Sequence, residues 1–105
     1  MTIQELQNKI REFSKEHNLD SDPEYKVLDT VSELGEVAKE ILKMTNYGKD
    51  KMEFREEIKS ELGDLLYSVI TIANAFDVDL ETAVSNISAK YEKRLKRGGA
   101  GSEYD

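Results

Sequence analysis

Residues 57–76, EIKSELGDLLYSVITIANAF, set Leu62, Leu65, Leu66, Val69, Ile70, Ile72, Ala73 and Phe76 at helical spacing. Together these side chains cover an arc wider than one neighbouring helix can occupy, so the segment reads as a helix buried from several sides. Four short helices in one chain can hardly surround it. The expectation is therefore an all-α, four-helix subunit that assembles into a homodimer or a dimer of dimers, with this helix near the interface. No stretch of the chain shows the alternation of a β-strand, and no strand is expected.

The other helices follow from their start and stop signals. Thr2-Ile3-Gln4-Glu5 has the form of a capping box, and Ile3, Leu6, Ile10 and Phe13 continue it as one apolar stripe ending near His17. Asp22-Pro23-Glu24 opens a second helix, because aspartate suits the N-cap and proline the first turn, where its missing N–H costs nothing. That helix runs to about Met44, and Asn46-Tyr47-Gly48 stops it. The third is expected to open near Asp50, with Glu53 three residues on. Asp79 caps the fourth, which closes on Lys93, Arg94, Lys96 and Arg97 before Gly98 and Gly99.

A chain of 105 residues suits one small domain, with a core too modest to leave a wide stability margin. It has no cysteine, which excludes disulfides and thiolate metal ligands. No apolar run approaches the ~20 residues of a membrane span, and Met1 to Lys15 lacks the apolar core of a signal peptide. A soluble, cytoplasmic protein is expected, with no membrane partner. The 15 basic residues against 22 acidic ones give a net charge of −7, which repels polymeric nucleic acid. A small polyanion can still bind such a surface when a divalent cation lies between them.

Ser32-Glu33-Leu34-Gly35-Glu36 and Ser60-Glu61-Leu62-Gly63-Asp64 are near copies on the two central helices. Each i, i+3 spacing sets two carboxylates on one helix face, with Cβ atoms roughly 5–6 Å apart. Each pair also encloses a mid-helix glycine that costs about 1 kcal/mol relative to alanine, which implies close approach of another helix or a ligand. Four converging carboxylates repel one another unless a cation neutralises them. An all-oxygen set suits Mg²⁺, with Mn²⁺ as a substitute. A di-iron bundle would need Glu-x-x-His motifs, and the single histidine, His17, lies elsewhere. On the second helix Leu34, Ala38, Ile41 and Leu42 form the main apolar stripe. Glu33 and Glu36 point away from it, beside a thinner stripe of Val37 and Met44, at the edge of a second interface or a cleft.

Glu-x-x-Glu on one helix followed by Glu-x-x-Asp on the next resembles the signature of the MazG-like nucleotide pyrophosphohydrolases, in the all-α NTP pyrophosphohydrolase superfamily. Residues Glu57 to Leu66 are especially similar to that family, as is Val78-Asp79-Leu80-Glu81-Thr82-Ala83-Val84. The likeness spans about Leu6 to Arg97. It implies a single MazG-like domain over residues 1–97 that forms a dimer or tetramer, while the tail over 98–105 has nothing to bury and is expected to be flexible. It also implies Mg²⁺ held by Glu33, Glu36, Glu61 and Asp64, with Glu33 as general base, and cleavage of an NTP or dNTP to the monophosphate and pyrophosphate. Lys90-Tyr91-Glu92-Lys93-Arg94 resembles the Lys-Phe-x-x-Arg segment of many relatives, which assigns Lys90 and Arg94 to phosphates and Tyr91 to the base. Ser88 stands where those relatives often carry asparagine. Tyr47 and Lys49 read as loop residues and His17 as a helix-terminal one. The alternatives are a dUTP, dCTP or phosphoribosyl-ATP pyrophosphatase, or a non-catalytic acidic helical module that binds a partner protein.

Overall fold

The computed structural model describes residues 1–98, which form four α-helices with no strand among the described residues. They are α1 (Ile3–Glu16), α2 (Pro23–Met44), α3 (Glu57–Ala75) and α4 (Leu80–Lys96). The capping box of α1 is formed: Thr2 Oγ1 accepts from the Glu5 N–H at 3.0 Å, and the Glu5 carboxylate accepts from the Thr2 N–H at 3.3 Å. His17 ends α1 with its ring tilted against Phe13 at 4.5 Å. Asp22 stands at the N-cap of α2 with Pro23 behind it, although its side chain makes no capping bond. Asp79 caps α4, accepting from the Glu81 N–H at 3.2 Å and the Thr82 hydroxyl at 2.8 Å. The expected flexible tail lies, past Gly98, outside the described residues.

One boundary differs from expectation. The third helix does not open near Asp50 but at Glu57. Asn46, Tyr47 and Gly48 take consecutive positive φ values of 49°, 59° and 86°, reversing the chain after Met44. The Asp50 N–H returns to the Thr45 carbonyl and the Glu53 N–H to the Met44 carbonyl, each at 2.9 Å. The Asp50 carboxylate accepts from the Asn46 amide at 3.1 Å and caps nothing. Local hydrogen bonds thus hold residues 45–56 as a loop, and helix starts only past Arg55, whose side chain is fixed to α2.

The central unit is the antiparallel pair α2–α3. The face that α2 turns toward α3 comprises Lys26, Thr30, Glu33, Val37, Glu40 and Met44. Their 4-3-4-3-4 spacing is that of a coiled-coil seam, yet Lys26 and Glu40 are buried in it at 7% and 6% exposure. The expected main stripe points the other way: Leu34 remains 55% exposed and Leu42 48%, with Leu28 and Val31 beside them. The thinner stripe of Val37 and Met44 is the one that packs within the chain. On α3, Ile58, Ile70 and Ala73 are buried, while Leu62 and Leu66 stay exposed.

α1 crosses α3 and carries α4. Their junction turns on Gln7, 4% exposed. Its amide donates to the Val78 carbonyl at 2.9 Å and to Asn74 Oδ1 at 3.2 Å, and its carbonyl accepts from the Leu80 N–H at 3.0 Å. Asn74 returns a bond from Nδ2 to the Gln7 carbonyl at 3.0 Å. One side chain therefore pairs the α3–α4 turn and the first turn of α4 with α1. Gln7→Leu keeps the volume and strips these partners, so the unfolding free energy should fall by about 2 kcal/mol. Urea denaturation, with amide exchange at Leu80, measures this; an unchanged midpoint would mean that water replaces the glutamine.

Candidate metal centre

Glu33 enters the seam from α2, and Glu61 and Asp64 from α3. One carboxylate oxygen from each lies within 4.8 Å of the others. The heptad position of Glu33 aims it at α3, and the i, i+3 spacing of Glu61 and Asp64 lines both up beside it. Glu33 and Glu61 are half-buried and Asp64 is exposed, so the cluster opens to solvent at one edge. Glu36 is exposed and stands outside the three-oxygen cluster, although its charge acts on Glu61.

The Glu61 carboxyl is pushed above the ordinary glutamate value of 4.5, first by desolvation in the seam and then by the charges of Glu36, Asp64, Glu33 and Glu40. Glu61 is thus the centre of a negative field contributed by both helices. Glu40, one heptad along the seam, has cationic partners of its own. Arg55 Nε donates to Glu40 at 2.9 Å, Arg55 also pairs with Glu57 at 3.1 Å, and Lys43 lies 3.8 Å from Glu40. Carboxylates with oxygen donors only, on two packed helices and open at one edge, fit a hard divalent cation that shares its shell with water or phosphate.

The structure brings Glu33, Glu61 and Asp64 together. It sets Lys90, Tyr91 and Arg94 on α4, which packs chiefly on α1. Arg94 is buried and stacks over the Tyr91 ring at 5.1 Å. Tyr47 is exposed at the hairpin turn. The Glu40–Arg55 pair escaped the sequence reading. The signal for it was present in the seam spacing, since Glu40 lies seven residues after Glu33. The paired glycines also read differently: a methyl placed on Gly35 or Gly63 meets no atom of another element within 4 Å among the described residues.

Over the described residues, fold and site together define a four-helix protein with a cluster of three carboxylates between two antiparallel helices. The chain belongs to the MazG nucleotide pyrophosphohydrolase family, whose domain model matches residues 22–98. Gene 37 protein of Mycobacterium phage L5 is 33% identical over 76 residues, covering 70% of this chain and 67% of that protein. Uncharacterized protein YpjD of Bacillus subtilis (strain 168) is 36% identical over 67 residues, covering 61% of this chain but only 59% of YpjD. The crystal structure of YpjD, described as a candidate pyrophosphatase, superposes with a TM-score of 0.74 at 25% identity, covering 90% of this chain and 96% of that one.

A raised carboxyl pKa means that the folded state disfavours the charge. In chelator, the contribution of Glu61 to stability is therefore full below about pH 4.5 and is lost as pH rises through the folded value. Glu61→Gln should melt higher than the parent in chelator at pH 7 and lower than the parent in excess Mg²⁺. Calorimetry in the two buffers reads the crossover, and a variant that ranks the same way in both would contradict a cation site at Glu61.

Proposed function

We propose that the protein is a Mg²⁺-dependent nucleoside triphosphate pyrophosphohydrolase, which converts an NTP or dNTP and water to the nucleoside monophosphate and pyrophosphate. The observation that carries this reading is the convergence of Glu33, Glu61 and Asp64 in a seam position where a helix pair would ordinarily bury apolar side chains, in a chain of the MazG family. Glu33, Glu36, Glu61 and Asp64 would hold the ion, with Mn²⁺ as a substitute. When bound, the cation supplies charge neutralisation for the phosphate oxygens and acidifies a coordinated water.

The chain's own groups do the rest. Glu33, held in the seam and facing the two α3 acids, accepts the proton of the attacking water. The bond broken lies between the α-phosphorus and the oxygen bridging to the β-phosphate, and pyrophosphate leaves. The Glu40–Arg55 pair, buried on the glutamate side, fixes the C-terminal half of α2 to the loop that launches α3, and so holds the two acid pairs in register. Lys90, Tyr91 and Arg94 are assigned to the substrate, the two cations to its phosphates.

The exposed surface supports assembly. The chain exposes 7908 Å², against about 6,000 Å² for a compact monomer of its mass. The difference is about what each subunit of an obligate dimer buries. Leu28, Val31, Gly35, Ala38 and Leu42 repeat along the outer face of α2, with the glycine at the middle, and supply a stripe that a second copy can cover.

Two measurements test the reading. Purified protein incubated with NTPs and dNTPs should release monophosphate and pyrophosphate only with Mg²⁺, and Asp64→Asn should lose at least about 100-fold in turnover while staying folded. Diphosphate with orthophosphate as products, or an indifferent Asp64→Asn, would point to other chemistry or to a non-catalytic module. For assembly, Gly35→Ala would stabilise a lone subunit by about 1 kcal/mol, whereas on a packed face it should weaken association. Sedimentation equilibrium should show the weakening, and a monomeric protein made more stable by the change would refute the oligomer.

A further inference from the structure

A cavity of about 290 Å³ opens between α1, the start of α2 and the end of α3. Its walls include Arg11, Asp20, Lys26, Thr71, Asn74 and Asp77. Lys26 precedes Glu33 by seven residues on α2, and Thr71 follows Asp64 by seven on α3. Because the helices run antiparallel, both steps lead the same way along one groove, by about 10 Å. In the opposite direction Val37, the buried Glu40 with its Arg55 partner, and Met44 fill the seam, and a second cavity of about 430 Å³ opens only beyond them, against Lys43, Met44, Lys51 and Arg55. The nearer space in line with the carboxylates lies at the Lys26 end.

The chemistry of this cavity differs from that of the carboxylate cluster. Two of its three cations are already paired, the third being the exposed Lys15: Lys26 Nζ donates to Asp20 at 3.0 Å and to Ser21 Oγ at 3.1 Å. Arg11 donates to Asn74 Oδ1 at 3.3 Å and pairs with Asp77 at 3.6 Å. A phosphate would have to displace those carboxylates or rely on the exposed Lys15 alone. A neutral group with donors and acceptors would not, since Asp20 and Asp77 accept while the third Lys26 proton can be donated. The Thr71 hydroxyl gives its proton to the Ser68 carbonyl at 2.7 Å and so offers only lone pairs inward. No aromatic ring lines the space.

We infer that this cavity holds the nucleoside end of the substrate and reads its base by hydrogen bonds, with Lys26, Thr71 and Arg11 as the specificity-determining side chains. The inference rests on the nucleotide reading above and adds to it where the base sits and how it is discriminated. Arg11 and Asp20 lie before residue 22, where the match to the family begins, so part of the reading head is supplied by this chain's own first helix and the loop after it. A pocket that pairs polar groups penalises a base lacking the partner more than an apolar slot would.

The test uses the full chain with Mg²⁺ and the α,β-methylene analogues of ATP, GTP, CTP and UTP, which cannot be cleaved at the α–β bridge. Amide shifts of Ser14, Thr71 and Ala75 should respond to all four and differ among the bases. Thr71→Val and Lys26→Met should narrow the spread of the four dissociation constants by about tenfold, with Mg²⁺ affinity unchanged. Shifts confined to the Glu33–Asp64 region and identical for every base, no analogue binding, or an unchanged ranking in folded Thr71→Val would overturn the inference. The two readings fail separately. Base-dependent shifts at Thr71 without any turnover of true triphosphates would keep the pocket and remove the hydrolase. Turnover with a base ranking untouched by both variants would do the reverse.

Discussion

The α2–α3 seam carries charge where packing alone would select leucine, and most of the architecture answers that constraint. Coiled-coil spacing brings Glu33, Glu61 and Asp64 within 4.8 Å of one another, an arrangement that opposes folding through like-charge repulsion and lost hydration. One heptad to either side the seam neutralises itself, with Arg55 on Glu40 and Asp20 on Lys26. Only the middle is left negative. A cation held there, as proposed above, would recover that repulsion as binding energy.

A seam of this kind contributes little apolar burial, and the chain shows it. Its buried apolar residues are Ile10, Met44, Ile58, Ile70 and Ala73, and Gln7, Lys26, Glu40 and Arg94 are buried beside them. Among the described residues no buried side-chain nitrogen or oxygen lacks a partner, so the polar interior is at least satisfied. The large aliphatic side chains of α2 point outward. Helix pairing within the chain thus brings the acids together and leaves the large aliphatic side chains of α2 on its outer face.

This division explains which sequence signals could be read. Caps are local: Thr2 with Glu5, Pro23 in its first turn, and Asp79 with Thr82 depend on residues within one turn and were legible. Asp50 had the same appearance, but its carboxylate is taken by Asn46 and its backbone by Thr45, competing bonds that a spacing rule does not weigh. The stripe on α2 misled for a related reason. Periodicity reports that a helix has an apolar face, but not whether that face meets its own chain or another molecule. Glu33, Glu61 and Asp64 were legible because repeated i, i+3 acids with costly glycines are a pattern within single helices. Arg55 was not, since its role comes from folding back across fifteen residues to Glu40.

The sequence by itself determined the four helices, most of their ends and the acid pairs, because helix period, capping and i, i+3 proximity act within a turn or two of backbone. The tertiary structure decided which face of α2 turns inward, that the acids of two helices converge, and that a polar cavity lies one heptad along the same groove. Those outcomes depend on the register of two helices joined by a loop, and register is set by long-range pairs such as Glu40–Arg55 and Gln7–Asn74, whose partners no local rule can choose.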